Sequence, residues 1–277
     1  MKNNPLVSVI VTTKNSANSL QACLESIKSQ SYKNIELIVV DNNSIDDTRE
    51  IAKRYTKHLY IAGPERSAQR NLGAKKANGE YLLFIDSDMI LTVDVIKCCV
   101  STIKLQKVGG IIIPEESIGD GFWAKCKKLE RSYYVGNEFI EAARFFPKQK
   151  FKIIGGFDEH LTGPEDWDLS QRVKERFGVS RIHEYILHDE GKLSLIPLLK
   201  KKYYYSKKIN EYIKKTDNKD NLIKQFSLIE RYKIFMSQPK IILKYPLLWV
   251  GMIFMKTCEF SVGAIGYLYS KSNLRKK

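Results

Sequence analysis

The sequence predicts an α/β protein with a mostly parallel, doubly wound sheet and a basic helical appendage at its C-terminal end. In the first half, apolar runs typical of buried strands alternate with amphipathic runs typical of helices. Acidic residues directly follow two of those strands. The formal charge is +15, of which the segment from Lys200 onward, with 18 Lys and Arg residues against 5 Asp and Glu residues, contributes +13. A chain of 277 residues that is 43% hydrophobic can bury a sizeable core.

The first part of the chain predicts paired strands and helices in regular order. Runs of β-branched and apolar residues predict strands in LVSVIVTT, IELIVVDNN, HLYIAG and EYLLFIDSD. Apolar residues at helical spacing predict helices in NSLQACLESIKSQ, IDDTREIAKRYT and SAQRNLGAKKANG, the last ending at a glycine. VDVIKCCVSTIKL then predicts another helix, and VGGIIIPE another strand.

After Pro114 the alternation is weaker. FWAKCKKLERSYY predicts a helix, and FIEAARFFPKQKFKIIGGFDE predicts paired strands around a Pro-Lys turn. PEDWDLSQRVKERFG predicts a helix, because proline and acidic residues open it and basic residues and a glycine close it. VSRIHEYILHDEG predicts one further strand, and the remainder is helical, basic and aromatic.

Composition indicates a reducing compartment. The five cysteines form no C-x-x-C pair, which is typical of reduced, mostly buried thiols. The N-terminal stretch MKNNPLVSVIVTT lacks the charged and long apolar regions of a secretory signal, so we expect none. A cytoplasmic location is therefore expected.

Two acidic clusters mark the candidate site. Asp41 ends the second predicted strand, and Asp86 and Asp88 end the fourth, where open α/β sheets bind ligands. Neither G-x-G-x-x-G nor G-x-x-x-x-G-K-S follows the first strand, which disfavours dinucleotide enzymes and P-loop NTPases. Carboxylates suit Mg²⁺ or Mn²⁺ that bridges the protein to substrate phosphates. The alternative is that Asp86 or Asp88 only caps the next helix.

The ordered motifs give the sequence a family resemblance. VSVIVTTKN, IELIVVDNNSIDDT, SAQRNLGAKKANG, GEYLLFIDSDM and FKIIGGFDEHLTGPEDWDLSQRV together resemble the family 2 glycosyltransferases, which have the GT-A fold and use nucleotide sugars. The resemblance covers about residues 5–190. It implies a catalytic domain over residues 1–190, with a nucleotide-binding half at about 1–115 and an acceptor half at about 116–190, followed by a basic tail over 191–277.

The resemblance also implies nucleotide-binding residues. Asp41 matches the aspartate that recognises the base, usually uracil, and Thr12 and Thr13 would contact the base and ribose. The family often has Pro or Tyr near these threonines. Asn43 replaces a commoner glycine after Asp41 and tolerates unusual backbone angles. Arg70 resembles an arginine that lines the nucleotide pocket, the alternative being a solvent-exposed helix arginine.

Metal and catalytic residues follow in the same way. Asp88 matches the direct ligand of Mn²⁺ or Mg²⁺, while Asp86 matches a partner that contacts the ribose, the metal or a metal-bound water. His188 matches a further protein ligand, the alternative being a structural histidine. In the Glu165–Asp166 pair, the aspartate matches the general base that deprotonates the acceptor. The alternative is that both are first-turn acids favoured by the helix dipole.

The basic tail combines apolar, lysine and tyrosine residues. LSLIPLLKKKYYYSKKINEYIKK suits an interfacial helix on an anionic membrane. YPLLWVGMIFMKTCEFSVGAIGYLY is more apolar, but Lys256 and Glu259, which could pair at this spacing, interrupt it. We therefore predict a monotopic or re-entrant anchor; a helical hairpin buried within the protein is the alternative. No nucleic-acid partner is expected, because the tail has few arginines and no nucleic-acid-binding motif.

The sequence thus predicts an inverting, metal-dependent glycosyltransferase. It would move a sugar from a nucleoside-diphosphate sugar, with UDP favoured, to a hydroxyl of a lipid-linked or polysaccharide acceptor. It would be peripheral or monotopic at the inner face of the cell membrane. Three alternatives stay open: a polyprenyl-phosphate glycosyltransferase, a nucleotidyltransferase, and a non-enzymatic basic adaptor for membranes or nucleic acids.

Overall fold

The structure is a computed structural model that describes residues 4–137, 139–215 and 219–274. The chain forms two compact units. The first contains the described residues up to Glu115 together with Ala142–Glu159 and Glu165–Asp189, and the second contains Glu116–Glu141, His160–Pro164 and the described residues from Glu190 onward. Residues 116–141 and 160–164, which the sequence analysis assigned to the first domain, therefore pack with the C-terminal helices.

The strands and helices follow the predicted order closely. The strands are β1 Val7–Thr13, β2 Ile35–Asp41, β3 Leu59–Ile61, β4 Tyr81–Asp86, β5 Met89–Leu91, β6 Gly110–Ile112, β7 Glu115–Asp120, β8 Ala143–Pro147, β9 Val179–Arg181 and β10 Ile186–Lys192. The helices are α1 Leu20–Lys28, α2 Thr48–Tyr55, α3 Arg66–Lys76, α4 Val95–Gln106, α5 Phe122–Ser132, α6 Lys148–Ile153, α7 Glu165–Phe177, α8 Leu195–Ser206, α9 Ile209–Lys215, α10 Lys219–Phe226, α11 Leu228–Met236, α12 Pro239–Lys244 and α13 Pro246–Leu274.

The sheet of the first unit is mostly parallel. Its strand order is β3-β2-β1-β4-β8-β6-β9. Strand β8 runs antiparallel to both β4 and β6, and the other recorded pairs in this sheet are parallel. A second pairing joins β5 and β10 in antiparallel fashion. The prediction of a mostly parallel, doubly wound sheet is confirmed.

Strand β1 is central and buried on both faces. Val9 and Val11 belong to the apolar core on one side of the sheet, and Ile10 belongs to the core on the other side, as the strand period of two requires. Helix α3 packs closely on this strand: a Cβ added to Gly73 would lie 2.4 Å from Cγ2 of Ile10. This glycine therefore allows α3 to approach the sheet and to place its other residues at the site described below.

Two local predictions were wrong. The segment KQKFKI forms helix α6, not the second of two paired strands. Lysines at alternate positions imitate a strand, but Phe151 alone is buried, and its ring packs 5.2 Å from that of Phe84. Gly155 and Gly156, with φ values of 86° and 71°, end the helix. VSRIHEYILHDEG forms two strands, β9 and β10, in place of one.

The second unit is helical around its own core. Buried residues of α5, α11 and α13 and of the turn after α5 form this core: Cys126, Leu129, Tyr133, Phe235, Met252 and Met255. Within α13, Pro246–Ser272 is long and apolar enough to cross a membrane by length and composition. Helix α13 packs against α5 and α8.

Candidate functional site

Three neighbouring strands bring the predicted nucleotide-binding residues to one edge of the sheet. The register pairs Thr13 of β1 with Asp41 of β2, and Thr12 of β1 with Asp86 of β4. Thr13 Oγ1 donates a hydrogen bond to Asp41 Oδ1 at 2.9 Å, and Thr12 Oγ1 donates to Asp86 Oδ1 at 3.1 Å. The four residues therefore form a continuous polar row at the carboxyl ends of the strands.

Asp41 is fully buried in this row. Besides the bond from Thr13, its Oδ2 accepts from the Ser44 backbone N–H at 2.8 Å, and its Oδ1 accepts from the Ser44 hydroxyl. Asn43 is exposed and adopts a left-handed conformation with φ of 49°, which turns the loop so that Ser44 reaches back to Asp41. Asp41 thus fixes the loop after β2, and its contact with a base stays a prediction.

Arg70 joins two motifs that lie far apart in the sequence. Its side chain is fully buried, so the alternative of a solvent-exposed helix arginine was wrong. Nη2 lies 2.9 Å from Asp86 Oδ1, and Nη1 lies 2.8 Å from Asp166 Oδ1. The guanidinium also lies over the Phe157 ring, 5.0 Å from its centroid. One guanidinium therefore connects Asp86, at the end of β4, to Asp166, the predicted general base.

A second arginine on α3, Arg66, faces Asp86 and also Glu165, the neighbour of Asp166. Arg66 Nη2 lies 3.2 Å from Glu165 Oε1, and its Nη1 lies 3.6 Å from Asp86 Oδ2. Sequence reasoning did not single out Arg66. Its spacing of four residues from Arg70 was the available signal, because residues i and i+4 share one face of a helix.

A third arginine comes from the antiparallel strand β8. Arg144 Nη2 lies 2.7 Å from Glu115 Oε1, and Nη1 lies 4.0 Å from Asp86 Oδ2. Sequence reasoning missed both Arg144 and Glu115. No local pattern distinguishes them, because they meet only through the pairing of β8 within the sheet.

These arginines set the charge state of the buried carboxylates. Burial raises the pKa of Asp86, but the three surrounding guanidiniums outweigh it and hold that pKa well below its usual range. Glu165 shows the opposite result, because burial and the neighbouring charge of Asp166 raise its pKa despite Arg66 and Arg70. Asp86 is therefore ionised at neutral pH, whereas Glu165 loses its proton less readily than an exposed glutamate does.

Asp88 and His188 form a separate pair. Asp88 lies in the turn between β4 and β5, and β10 runs antiparallel to β5 with His188 opposite Met89. The backbone N–H of Asp189 donates to the Asp88 carbonyl at 2.8 Å. This pairing leaves His188 Nε2 3.7 Å from Asp88 Oδ2. The helix-cap alternative was wrong for both aspartates of the motif, since α4 begins at Val95 and follows Asp94.

The donor set of this pair fits a divalent metal. Neighbouring ligands about 2.1 Å from an octahedral ion lie about 3 Å from each other. The observed separation of 3.7 Å between His188 Nε2 and Asp88 Oδ2 is longer, so the two side chains would move closer together to share an ion. A carboxylate with an imidazole suits Mn²⁺, and carboxylate with phosphate oxygens suits Mg²⁺. Among the described residues, no group of three or more His, Cys, Asp or Glu side chains is arranged to hold an ion. Substrate oxygens would therefore have to complete the coordination shell of such an ion.

The site has a buried frame and a solvent-facing rim. Arg70 and Asp41 are fully buried and support the frame. Asp166 and Asp88 are 22% and 36% exposed at their side chains, so they are accessible to ligands. Such an arrangement offers Asp166, held by Arg70 in the first turn of α7, for proton transfer, and Asp88, in the turn after β4, for a metal.

Comparison with known sequences identifies the family. The model described as Glycosyl transferase family 2 matches residues 8–156. Glycosyltransferase AglE of Haloferax volcanii is 35% identical over 202 residues, which are 66% of this chain and 66% of that protein. The Escherichia coli UDP-Glc:alpha-D-GlcNAc-diphosphoundecaprenol beta-1,3-glucosyltransferase WfaP is 39% identical over 90 residues, 30% of this chain and 35% of its own length. Across eight curated relatives, the chain spans from 13% to 66% of their own length.

A solved structure shows the same fold. The mannosyltransferase PcManGT from Pyrobaculum calidifontis, in complex with GDP-Man and Mn²⁺, superposes with a TM-score of 0.66 at 15% identity, covering 98% of this chain and 89% of that one. The GT-A fold predicted from the motifs is thereby confirmed. Because the matched family model spans more than half of its residues, the chain belongs to glycosyltransferase family 2.

Proposed function

We propose that the protein is an inverting, metal-dependent glycosyltransferase that moves a sugar from a nucleoside-diphosphate sugar to an acceptor hydroxyl. The observation that carries the proposal is the bridge made by Arg70, which holds Asp86 and Asp166 on one guanidinium. The bridge supports the proposal because it keeps Asp86, which would contact the donor, close to Asp166, which would be the base. Family membership favours this activity over a nucleotidyltransferase and over a non-enzymatic adaptor.

UDP is the favoured donor nucleotide. Asp41 would recognise the base, and Thr12 and Thr13 would contact the base and ribose. Asn43 would shape the loop after Asp41, and Arg70 would line the nucleotide pocket. The name of the E. coli relative specifies UDP-Glc, whereas the P. calidifontis structure contains GDP-Man. Both are nucleoside-diphosphate sugars, and they support this donor class.

Asp88 and His188 would hold Mn²⁺ or Mg²⁺. Bound there, the ion supplies Lewis-acid stabilisation of the negative charge that develops on the departing diphosphate. Asp86 would contact the ribose or a water of the metal while the three arginines keep it ionised. The protein's own contribution is to orient these side chains on paired strands, so that little rearrangement is needed when donor binds.

Asp166 would take the proton from the acceptor hydroxyl as that oxygen attacks the anomeric carbon. A positioned base of this kind typically contributes about 10²–10⁴-fold to the rate. The side chain of Glu165 is 2% exposed, against 22% for Asp166, so Glu165 is the less accessible base at that point. A polyprenyl-phosphate acceptor would need no strong base, so an accessible aspartate beside Arg70 supports a hydroxyl acceptor.

The acceptor would be a lipid-linked sugar or a polysaccharide at the cytoplasmic face of the membrane. The E. coli relative is named for a diphosphoundecaprenol-linked GlcNAc acceptor, which supports the lipid-linked class. The apolar stretch Pro246–Ser272 and the basic tail support a peripheral or monotopic location at an anionic membrane.

Calorimetric titration tests the donor and metal together. Purified protein is titrated with UDP, GDP and dTDP, each in the presence of Mn²⁺ and of EDTA. We expect one nucleotide to bind only with metal, and Asp88→Ala to abolish that dependence. Asp120→Ala, which changes an exposed aspartate outside the site, is the matched control. Binding of no nucleotide, or equal affinity in EDTA, would contradict the proposal.

A further inference from the structure

Helix α13 has two chemically different faces. Its inward face is buried and includes Met252 and Met255, which are both 0% exposed. Its outward face carries exposed apolar residues at helical spacing, which we call the apolar stripe: Leu247, Val250, Phe254, Ile265 and Leu268. Leu247 is 72% exposed and Phe254 is 53% exposed. The period of 3.6 residues places these side chains along one side of the helix.

A buried ion network fixes which face points inward. Lys256 Nζ lies 2.6 Å from Glu130 Oε1 and 2.8 Å from Glu259 Oε2. Lys127 of α5 lies 2.8 Å from Glu130 Oε2 and 3.5 Å from Glu259 Oε1. Rotating α13 would break these pairs and leave charges unpaired inside the unit. The apolar stripe is therefore held on the outside.

Neighbouring helices pack against α13 beside the stripe near both of its ends. A Cβ added to Gly251 would lie 2.4 Å from Cζ of Phe122 on α5. A Cβ added to Gly266 would lie 3.0 Å from the carbonyl oxygen of Tyr203 on α8. A helix packed so closely on lysine-rich helices is not surrounded by lipid on all sides. This packing favours α13 lying along a membrane surface over α13 crossing it.

The polar residues on the outward face are already satisfied. Thr257 Oγ1 donates to the Ile253 carbonyl at 2.8 Å, and Ser261 Oγ donates to the Thr257 carbonyl at 2.9 Å. Because these hydroxyls bond to the helix itself, moving them into an apolar phase leaves no unpaired donor. These two hydroxyls therefore do not prevent the outward face from entering an apolar phase.

Basic residues adjoin the stripe at its N-terminal end. Leu243 of α12 is 82% exposed, and the exposed Lys240 and Lys244 lie four residues apart on the same helix. Apolar residues beside lysines complement a bilayer with anionic headgroups. A second copy of the chain is a poorer occupant, because a symmetric pairing would bring like charges together.

We infer that the apolar stripe, together with Leu243, Lys240 and Lys244, is the surface on which the protein docks to an anionic lipid bilayer, with α13 in the membrane plane. The inference specifies which surface would give the membrane location of the proposed function, and it rests on that location alone. It does not depend on the donor, the metal or the base.

Vesicle flotation of the full-length protein tests the inference. The vesicles contain phosphatidylcholine alone or mixed with phosphatidylglycerol. We expect flotation with the anionic vesicles, a loss of about tenfold or more in Val250→Glu/Phe254→Glu, and a weaker salt dependence in Lys240→Ala/Lys244→Ala. Leu105→Glu, at an exposed leucine of α4 in the first unit, is the control that should bind as the unchanged protein does.

Two results would overturn the inference. One is unchanged flotation of the Val250→Glu/Phe254→Glu variant. The other is a dimer in light scattering that this variant converts to a monomer while flotation persists, which would make the stripe an interface between copies. Thermal unfolding and nucleotide titration of each variant separate misfolding from loss of docking. A Val250→Glu/Phe254→Glu variant that no longer floats but still binds nucleotide supports the inference. If the unchanged protein floats through the stripe but binds no nucleotide, the docking inference holds and the donor proposal fails.

Discussion

Arg70 brings a full positive charge into the interior of the first unit, where aspartates from β4 and α7 share it. Asp86 and Asp166 are 80 residues apart in sequence, and each lies within 3 Å of a different guanidinium nitrogen. A planar guanidinium holds its N–H donors in fixed directions, so it can bind two carboxylates at once. A lysine ammonium lacks this fixed geometry. The residue therefore acts as a structural link between the two halves of the candidate site.

Removing that link should destabilise the fold. Replacing Arg70 by Met leaves the buried Asp86 with less compensation, so we expect a loss of about 3–5 kcal/mol in the free energy of unfolding. Arg66 contacts Asp86 and Glu165 from a side chain that is 36% exposed. We therefore expect Arg66→Met to cost about 1 kcal/mol or less. Urea denaturation of both variants measures the difference, and equal losses would contradict the structural role assigned to Arg70.

Asp166 should matter for turnover and not for donor binding. Asp166→Asn keeps the size of the side chain and an acceptor oxygen for Arg70 while removing the base. We expect kcat with a hydroxyl acceptor on a lipid-linked sugar to fall about 10²–10⁴-fold. Nucleotide affinity by calorimetry should change little. A small loss with a polyprenyl-phosphate acceptor as the active substrate would instead favour the phosphate-acceptor alternative.

The aspartates of the site could be predicted from sequence, whereas Glu115 and two of the arginines were missed. Asp41 and Asp86 end apolar strands, and parallel strands bring such ends together, so their proximity follows from a local pattern. Arg144 reaches Asp86 only because β8 enters the sheet antiparallel beside β4. That strand order depends on long-range packing and leaves no trace in the local sequence. The histidine could be placed near Asp88 only through the resemblance.

At the scale of elements, three helices of the second unit share a buried charge cluster. Helix α5 contributes Lys127 and Glu130, α13 contributes Lys256 and Glu259, and α8 contributes Lys202. Three lysines thus face two glutamates. Burial, together with the positive charges of Lys256 and Lys127, lowers the pKa of Lys202 to about 8, although the two glutamates oppose the shift.

The lowered pKa of Lys202 gives a testable pH dependence. Because the folded pKa of about 8 lies below the ordinary 10.5, the unfolded chain binds more protons between these values. Stability from this group therefore rises with pH from about 8 to 10.5, and the penalty is fully present below pH 8. We expect Lys202→Met to raise the free energy of unfolding by about 1–3 kcal/mol at neutral pH.

Denaturation of this variant and of the unchanged protein at several pH values provides the measurement. The gain in Lys202→Met should shrink as the pH approaches 10.5. Lys201→Met, at an exposed lysine of the same helix, is the matched control and should show no such trend. A gain that is constant with pH would indicate better packing of methionine and not the removal of a charge.

Local patterns predicted elements well where the apolar period was clear and failed where it was ambiguous. The pairing of Lys256 with Glu259 was predicted from their spacing and is confirmed. The second partner of Lys256 is Glu130, which lies 126 residues away, so no local pattern could reveal it. In α6, alternate lysines imitated a strand, because a six-residue segment is too short to distinguish a period of two from one of 3.6.

At the scale of the whole molecule, each compact unit is built from several segments that are separated in the sequence. The chain leaves the first unit after Glu115, returns at Ala142, and completes the second unit from Glu190 onward. Helix α5, which lies inside the predicted catalytic sequence, thereby shares its core with the C-terminal helices. The basic tail is therefore part of a folded unit and differs from an anchor attached by a linker.

Truncation before Pro246 should consequently fail to give a stable soluble enzyme. The deletion removes Met252 and Met255 from the core around Phe235 and leaves Glu130 without Lys256. Loss of each buried methionine alone costs about 2–5 kcal/mol, which approaches the whole stability of a small domain. We expect low soluble yield and a lost or strongly lowered thermal unfolding transition. The control is full-length Leu247→Ser/Val250→Ser, which makes exposed positions of the outward face polar but keeps the inward face, and which should unfold near the temperature of the unchanged protein. A truncated chain that unfolds at that same temperature would show α13 to be an accessory anchor, and the second unit to be complete without it.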